Sequence, residues 1–222
     1  MASKLDIVGE TGLQFYGKMS ASLSHEIKNA LSVIQEHAGL IEDFTVMAEQ
    51  GAPINPQRVK ALAGKIQGQI DRANGIIKGM NQLAHSSMDE SAKSVELREV
   101  LTLLVALSHR LASVRGITLE AKPPATAVTI RTTPFFLQNL AWLCLDFAMD
   151  GAGDKKTVGL SAEKTRLGAK LRFTQLEGLA DAPTERFPGE REKALLETLN
   201  AEVTIHIGSQ EIVLTLPGDL DH

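Results

Sequence analysis

The sequence predicts an α+β protein, a long helical hairpin followed by a mixed α/β sandwich. Three observations carry that class. Apolar residues recur at helical spacing over two long segments, residues 13–50 and 57–84. Between them, Gly51-Ala52-Pro53-Ile54-Asn55-Pro56 stops any continuous helix with two prolines. After a polar linker from Ser86 to Ser94, the rhythm changes to short alternating runs mixed with helical ones. At 222 residues the chain has room for two modest domains, residues 1–88 and 95–219.

The elements follow in order. The stripe of the first helix includes Tyr16, Leu23, Ile27, Ala30, Leu31, Ile34, Ala38 and Ile41. That of the second includes Val59, Leu62, Ile66, Ile70, Ala73, Ile77, Met80 and Leu83. Gly64, Gly68, Gly75 and Gly79 weaken the second helix intrinsically, so packing must hold it. Two such helices cannot bury both stripes by themselves, and a homodimer closing them into a four-helix bundle is expected. An ordinary monomeric hairpin packed on the second domain is the alternative. Beyond the linker, residues 96–114 are helical, and residues 117–122 and 127–131 are strand-like. A hydrophobic helix spans residues 133–150, with Pro134 suited to its first turn. Residues 157–162 and 169–176 alternate like paired strands, residues 190–200 form a short helix, and residues 203–207 and 211–216 form a last hairpin.

Composition narrows the function classes. Apolar residues make up 43% of the chain, which fits a packed globule. The net charge of −4 comes without a basic stretch, so no nucleic-acid partner is expected. No apolar run approaches the roughly 20 residues of a membrane span, and no signal peptide is apparent. The single cysteine, Cys144, excludes an intramolecular disulfide and fits a reducing, cytoplasmic setting. His37, His85, His109, His206 and His222 show no metal-ligand spacing, so no metal site is expected. Cys144, Trp142 and Phe147 read as packing residues, and Glu36, Glu42 and Asp43 as solvated helix faces.

The first helix carries the chemistry. At about 100° per residue, with His25 at zero, its apolar stripe clusters at about 140–240°. The near side holds Ser22, Lys28, Asn29, Ser32, Glu36 and Gly39, with Leu40 as an apolar exception. His25 is thereby predicted to project into water from a rigid scaffold. A neutral imidazole is a good nucleophile toward phosphorus, because one ring nitrogen keeps a lone pair near neutral pH. Glu26 is adjacent and is expected to accept the proton of the other ring nitrogen. Asn29, four residues on, shares the face of His25 and can orient a water for in-line attack.

The run Ser24-His25-Glu26-Ile27-Lys28-Asn29-Ala30-Leu31 resembles the H-box of two-component sensor histidine kinases, S-H-E-I-K-N-P-L, with Ala30 in place of proline. In that family the histidine is phosphorylated and passes phosphate to a receiver-domain aspartate. The order of elements after the linker resembles, more weakly, the family's ATP-binding domain, a Bergerat-like α/β sandwich. The resemblance extends over residues 13–217.

The second half departs from the family at three motifs. The asparagine motif that holds magnesium and phosphates, L-x-Q-V-L-x-N-L-L-x-N-A, aligns with Leu137, Asn139, Leu140, Cys144, Leu145 and Ala148. Its two asparagines are replaced by Leu143 and Phe147, which offer no oxygen to a hard cation. Where the family's D-x-G-x-G supplies an aspartate for adenine, Gln175 stands instead. The glycine-rich lid is absent, and the corresponding segment, residues 178–189, holds Pro183 and Pro188. Asn139 and Asp146 on the helix of the asparagine motif, or Asp150 and Asp154 after it, could serve a divergent site. Gly151-Ala152-Gly153 reads as a helix stop.

A retained phosphoacceptor with a degenerate nucleotide domain resembles the dimeric histidine phosphotransferases of phosphorelays. The resemblance implies that His25 shuttles phosphate between response-regulator receiver domains without binding ATP. It implies catalytic roles for His25, Glu26 and Asn29, and a docking surface that includes Ser22, Lys28 and Ser32. No cofactor is expected in this chain, since the receiver supplies its own magnesium. Three alternatives stand beside it: a receiver-directed phosphatase or sequestering regulator, which Asn29 fits; a divergent ATP-dependent kinase; and a structural scaffold.

Overall fold

The computed structural model describes residues 3–88 and 91–220. Residues 89 and 90 of the linker and His222 lie outside the described residues. Helix α1 runs from Lys4 to Glu49, nine residues earlier than the apolar pattern suggests. Its start is set by a capping box, in which the Ser3 hydroxyl accepts from the Asp6 amide while the Asp6 carboxylate accepts from the Ser3 amide. Helix α2 spans Pro56–Ser87; Pro56 occupies its first turn and the Asn55 side chain accepts from the amides of Gln57 and Arg58.

The α/β portion begins inside the stretch read as a polar linker. Strand β1, Lys93–Glu96, pairs antiparallel with β3, Thr129–Thr132, in a small two-stranded sheet. Only Val95 of β1 contributes to the core, so the strand leaves almost no alternating apolar signal. Helix α3 spans Leu97–Val114 and β2 spans Thr118–Lys122. Helix α4 spans Pro134–Asp150, followed by β4 (Thr157–Lys164) and β5 (Gly168–Thr174). A short 3-10 turn at Thr184–Arg186 precedes α5 (Glu190–Thr198), and β6 (Glu202–His206) and β7 (Glu211–Pro217) close the chain. The main sheet has the order β2-β4-β5-β7-β6, antiparallel except for the β2–β4 pair. Leu171, Phe173, Ile212 and Leu214 on the inner face are fully or almost fully buried. On the outer face, Arg172 donates to Glu163 and Glu211 at 2.8 and 2.7 Å.

The hairpin does not stand apart from this sandwich. One continuous apolar cluster runs from Val8, Phe15, Met19 and Leu23 of α1 through α3 and α4 to Leu216 of β7. Phe15 packs against Phe135 of α4 with ring centroids 5.7 Å apart. Gly12 permits that approach, because a Cβ there would lie 3.0 Å from the Phe135 ring. The docking rotates the buried face of α1 away from the predicted one. Val8, Thr11, Phe15, Met19, Ser22, Leu23, Glu26 and Ala30 are buried, a face centred at about 100° on the scale that puts His25 at zero. The predicted stripe is left open in part: Leu31 is 55% exposed.

Candidate functional site

The predicted phosphoacceptor lies in the middle of α1, where one helical turn already positions its neighbours. His25, Lys28, Asn29 and Ser32 are all exposed. The Ser32 hydroxyl donates to the Lys28 carbonyl at 3.0 Å, a bond within the helix that leaves the Lys28 side chain free to point outward. Ser22 departs from the expected docking surface. It is 3% exposed, with its hydroxyl buried and unpaired, because the α/β portion packs over that part of the helix.

Glu26 also departs from expectation. It is 5% exposed. One carboxylate oxygen accepts from Arg72 of α2 at 3.3 Å and the other lies 3.2 Å from Nδ1 of His109 on α3. An ionised carboxylate only accepts, so this contact is a hydrogen bond when the proton of His109 sits on Nδ1. The pairing follows from burial, since a buried charge is tolerated only with partners on its oxygens. No hydrogen bond among the described residues joins Glu26 to His25, and the expected tautomer-holding role is not what the geometry provides. The sequence reading missed Arg72 and His109. Their only signal is residue type, since an ion pair across three elements leaves no periodic trace.

The second region of interest is a cleft of about 460 Å³ beside α4, lined by Leu143, Asp146, Phe147, Phe187 and neighbours from residues 183–192. These are the positions to which the resemblance assigns nucleotide and magnesium. The rings of Phe147 and Phe187 stack inside it, 4.4 Å apart and 2° from parallel. Asp146 faces two cations, Arg115 at 2.7 Å and Lys18 at 3.4 Å, and Asp150 lies 3.5 Å from Arg115. Asn139 is wholly enclosed, with both side-chain polar atoms unpaired, and does not line the cleft. Gln175 adopts a left-handed backbone (φ 67°) and donates to Glu120 at 3.5 Å. A magnesium-bound nucleotide requires free oxygen ligands and an open aromatic-sized slot. At the two motif positions Leu143 and Phe147 supply no such oxygen.

The remaining candidates resolve simply. Cys144 is buried, and burial followed by the charge of Glu192 pushes its thiol far above the range of a reactive cysteine. No group of three or more His, Cys, Asp or Glu side chains is placed to hold a metal among the described residues. No helix among them is long and apolar enough to cross a membrane.

Residues 16–88 match the family model of the His Kinase A (phospho-acceptor) domain. Over those residues the hairpin is similar to the phospho-acceptor domain of that family. The match spans about a third of the chain and contains His25, Glu26, Asn29 and Arg72. Among solved structures, the chain is similar to the Acinetobacter baumannii histidine kinase AdeS, at 12% identity over 87% of this chain and 98% of that one, with a TM-score of 0.48. It is similar to the catalytic domain of histidine kinase ThkA, at 8% identity over 58% of this chain and 98% of that one, with a TM-score of 0.47. It is also similar to ThkA in complex with the response regulator protein TrrA, at 11% identity over 94% of this chain and 64% of that one, with a TM-score of 0.46. Among curated proteins none matches the chain.

Proposed function

We propose that this chain is a histidine phosphotransferase of a two-component phosphorelay, with His25 as the carrier. The observation that carries the reading is the exposure of His25 on the matched phospho-acceptor hairpin, in a chain whose Phe147 and Phe187 rings stack where the resemblance assigns the nucleotide. In the forward step a ring nitrogen of neutral His25 attacks the phosphorus of an aspartyl phosphate on a receiver domain. The N–P bond forms as the bond to the aspartate oxygen breaks, and the carboxylate leaves with its electron pair. Passage to a second receiver is the reverse step. The docked receiver brings its divalent cation, and Lys28 and Asn29 flank the transferring group. A homodimer is part of the proposal: Leu13, Leu31, Ile70 and Ile77 offer apolar surface that this chain leaves open, and a second hairpin would cover it.

A specific observation favours one second reading. Asn29 is exposed one turn from His25, as a water-orienting amide needs to be for net dephosphorylation of the receiver. The test separates the readings. Purified chain is mixed with a radiolabelled phosphorylated receiver domain, and label is followed on the chain, on a second receiver and as inorganic phosphate. Acid-labile label on the chain that disappears in His25→Ala, with later arrival on the second receiver, is the expected result. Loss of receiver label straight to inorganic phosphate, undiminished in His25→Ala, would leave only the phosphatase. Label transferred to His25 from magnesium ATP would restore the kinase.

A further inference from the structure

The residue beside His25 is anchored from two sides. Each oxygen of Glu26 has its own partner, Oε2 with Arg72 and Oε1 with His109. The plane of the carboxylate is therefore set by two different elements. The carboxylate is almost enclosed, at 7% exposure, whereas the Arg72 and His109 side chains are 46% and 61% exposed. A buried acid with two half-exposed partners is a junction that loosens when either is lost, because the remaining charge is then under-compensated.

We propose, on the phosphotransfer reading above, that Arg72 and His109 are positioning residues for the phosphoacceptor, acting through Glu26. The geometry gives a direct route. His25 and Glu26 are consecutive on one rigid helix, so fixing the Glu26 carboxylate fixes the rotation of α1 at the level of His25. Arg72 ties that level to α2, and His109 ties it to α3, which belongs to the α/β portion. The α/β portion thus serves the phosphoacceptor here as a fixed wall. In-line transfer is sensitive to such fixing, since a misplacement of about 1 Å can cost on the order of 100-fold in rate. Both oxygens of Glu26 already have partners and neither bonds the imidazole of His25, whose proton is exchanged with solvent or with the docked receiver.

Two measurements test this. The first is single-turnover transfer from a phosphorylated receiver, at varied receiver concentration, for wild type, Glu26→Gln, His109→Gln and the double variant. His109→Gln is expected to lower the saturating rate about 10-fold and to leave the half-saturating receiver concentration within about twofold. The double variant is expected to be no slower than Glu26→Gln alone, since one residue acts through the other. Arg72→Lys, which keeps the charge, is expected to retain more of the rate than Arg72→Met. A His109→Gln variant at the wild-type rate would overturn the proposal, as would losses that multiply in the double variant. The second is the tautomer of His109 by nitrogen-15 NMR of the wild-type chain, which needs no phosphorelay activity. An Nδ1–H tautomer is expected, and an Nε2–H tautomer overturns the junction. Absence of any transfer to wild-type His25 would overturn the phosphotransfer reading instead, with the tautomer still deciding the junction.

Discussion

The surface around His25 and the cleft beside α4 differ in what occupies them. Around His25 the outward positions are polar and open, while the carboxylate beneath is pinned by Arg72 and His109. In the cleft the rings of Phe147 and Phe187 stack on one another, and one of its acids, Asp146, is held by Arg115 and Lys18. A phosphoacceptor needs a few residues on one helix turn, so a single segment can keep it. A magnesium–nucleotide site needs oxygen ligands converging from several segments. The stacked rings of Phe147 and Phe187 give each other packing energy that opening the stack would lose.

The largest expected effect lies at the phosphoacceptor. His25→Ala is expected to lower phosphoryl acceptance by at least about 1,000-fold while leaving the urea unfolding midpoint unchanged, since the ring packs against nothing that unfolding would expose. A stability loss of core size at this position would erase the contrast between the two regions.

The cleft is expected to answer the opposite way. Phe187→Ala is expected to cost about 3 kcal/mol or more of unfolding free energy, read by urea titration, and to produce no binding of magnesium ATP by calorimetry. Nucleotide binding by this variant would mean the stack is a removable plug over a working site. Lys28→Ala, by comparison, is expected to change stability by less than about 0.5 kcal/mol.

Asn29→Ala is expected to act on chemistry alone. Loss of phosphate to water from the docked phosphorylated receiver should fall by about 10-fold or more, with stability unchanged within about 0.5 kcal/mol. An unchanged rate of phosphate loss would remove Asn29 from the site.

The smallest effect belongs to neither region and gives a baseline for both. On the outer sheet face, partial burial raises the Glu211 carboxyl, but hydrogen bonds from Arg172 and Ser209 outweigh it and leave the group below its usual 4.5. A carboxylate depressed in the folded state stabilises above its unfolded value, and that stability fades as pH falls through the folded one. Unfolding midpoints are therefore expected to drop below about pH 4.5, and Glu211→Gln is expected to flatten part of that slope. A slope identical in the variant would remove the cluster as its source.

Most element positions were legible in the sequence because they depend on local spacing. The hairpin break at residues 51–56, the helix beginning at Pro134 and the last strand pair all fall within a few residues of the pattern. The exposure of His25 was legible for the same reason, since rotation along one helix is a property of residue numbers alone. Tertiary structure alone decided which face of α1 is buried. Periodicity locates apolar residues on a helix but does not say which neighbour covers which side, and the α/β portion took the face that includes Ser22 and Glu26. It also decided the partners of Glu26. Arg72 lies 46 positions away and His109 lies 83 positions away. A contact across that separation is made only when three helices pack, and the cost of a buried unpaired carboxylate then selects it.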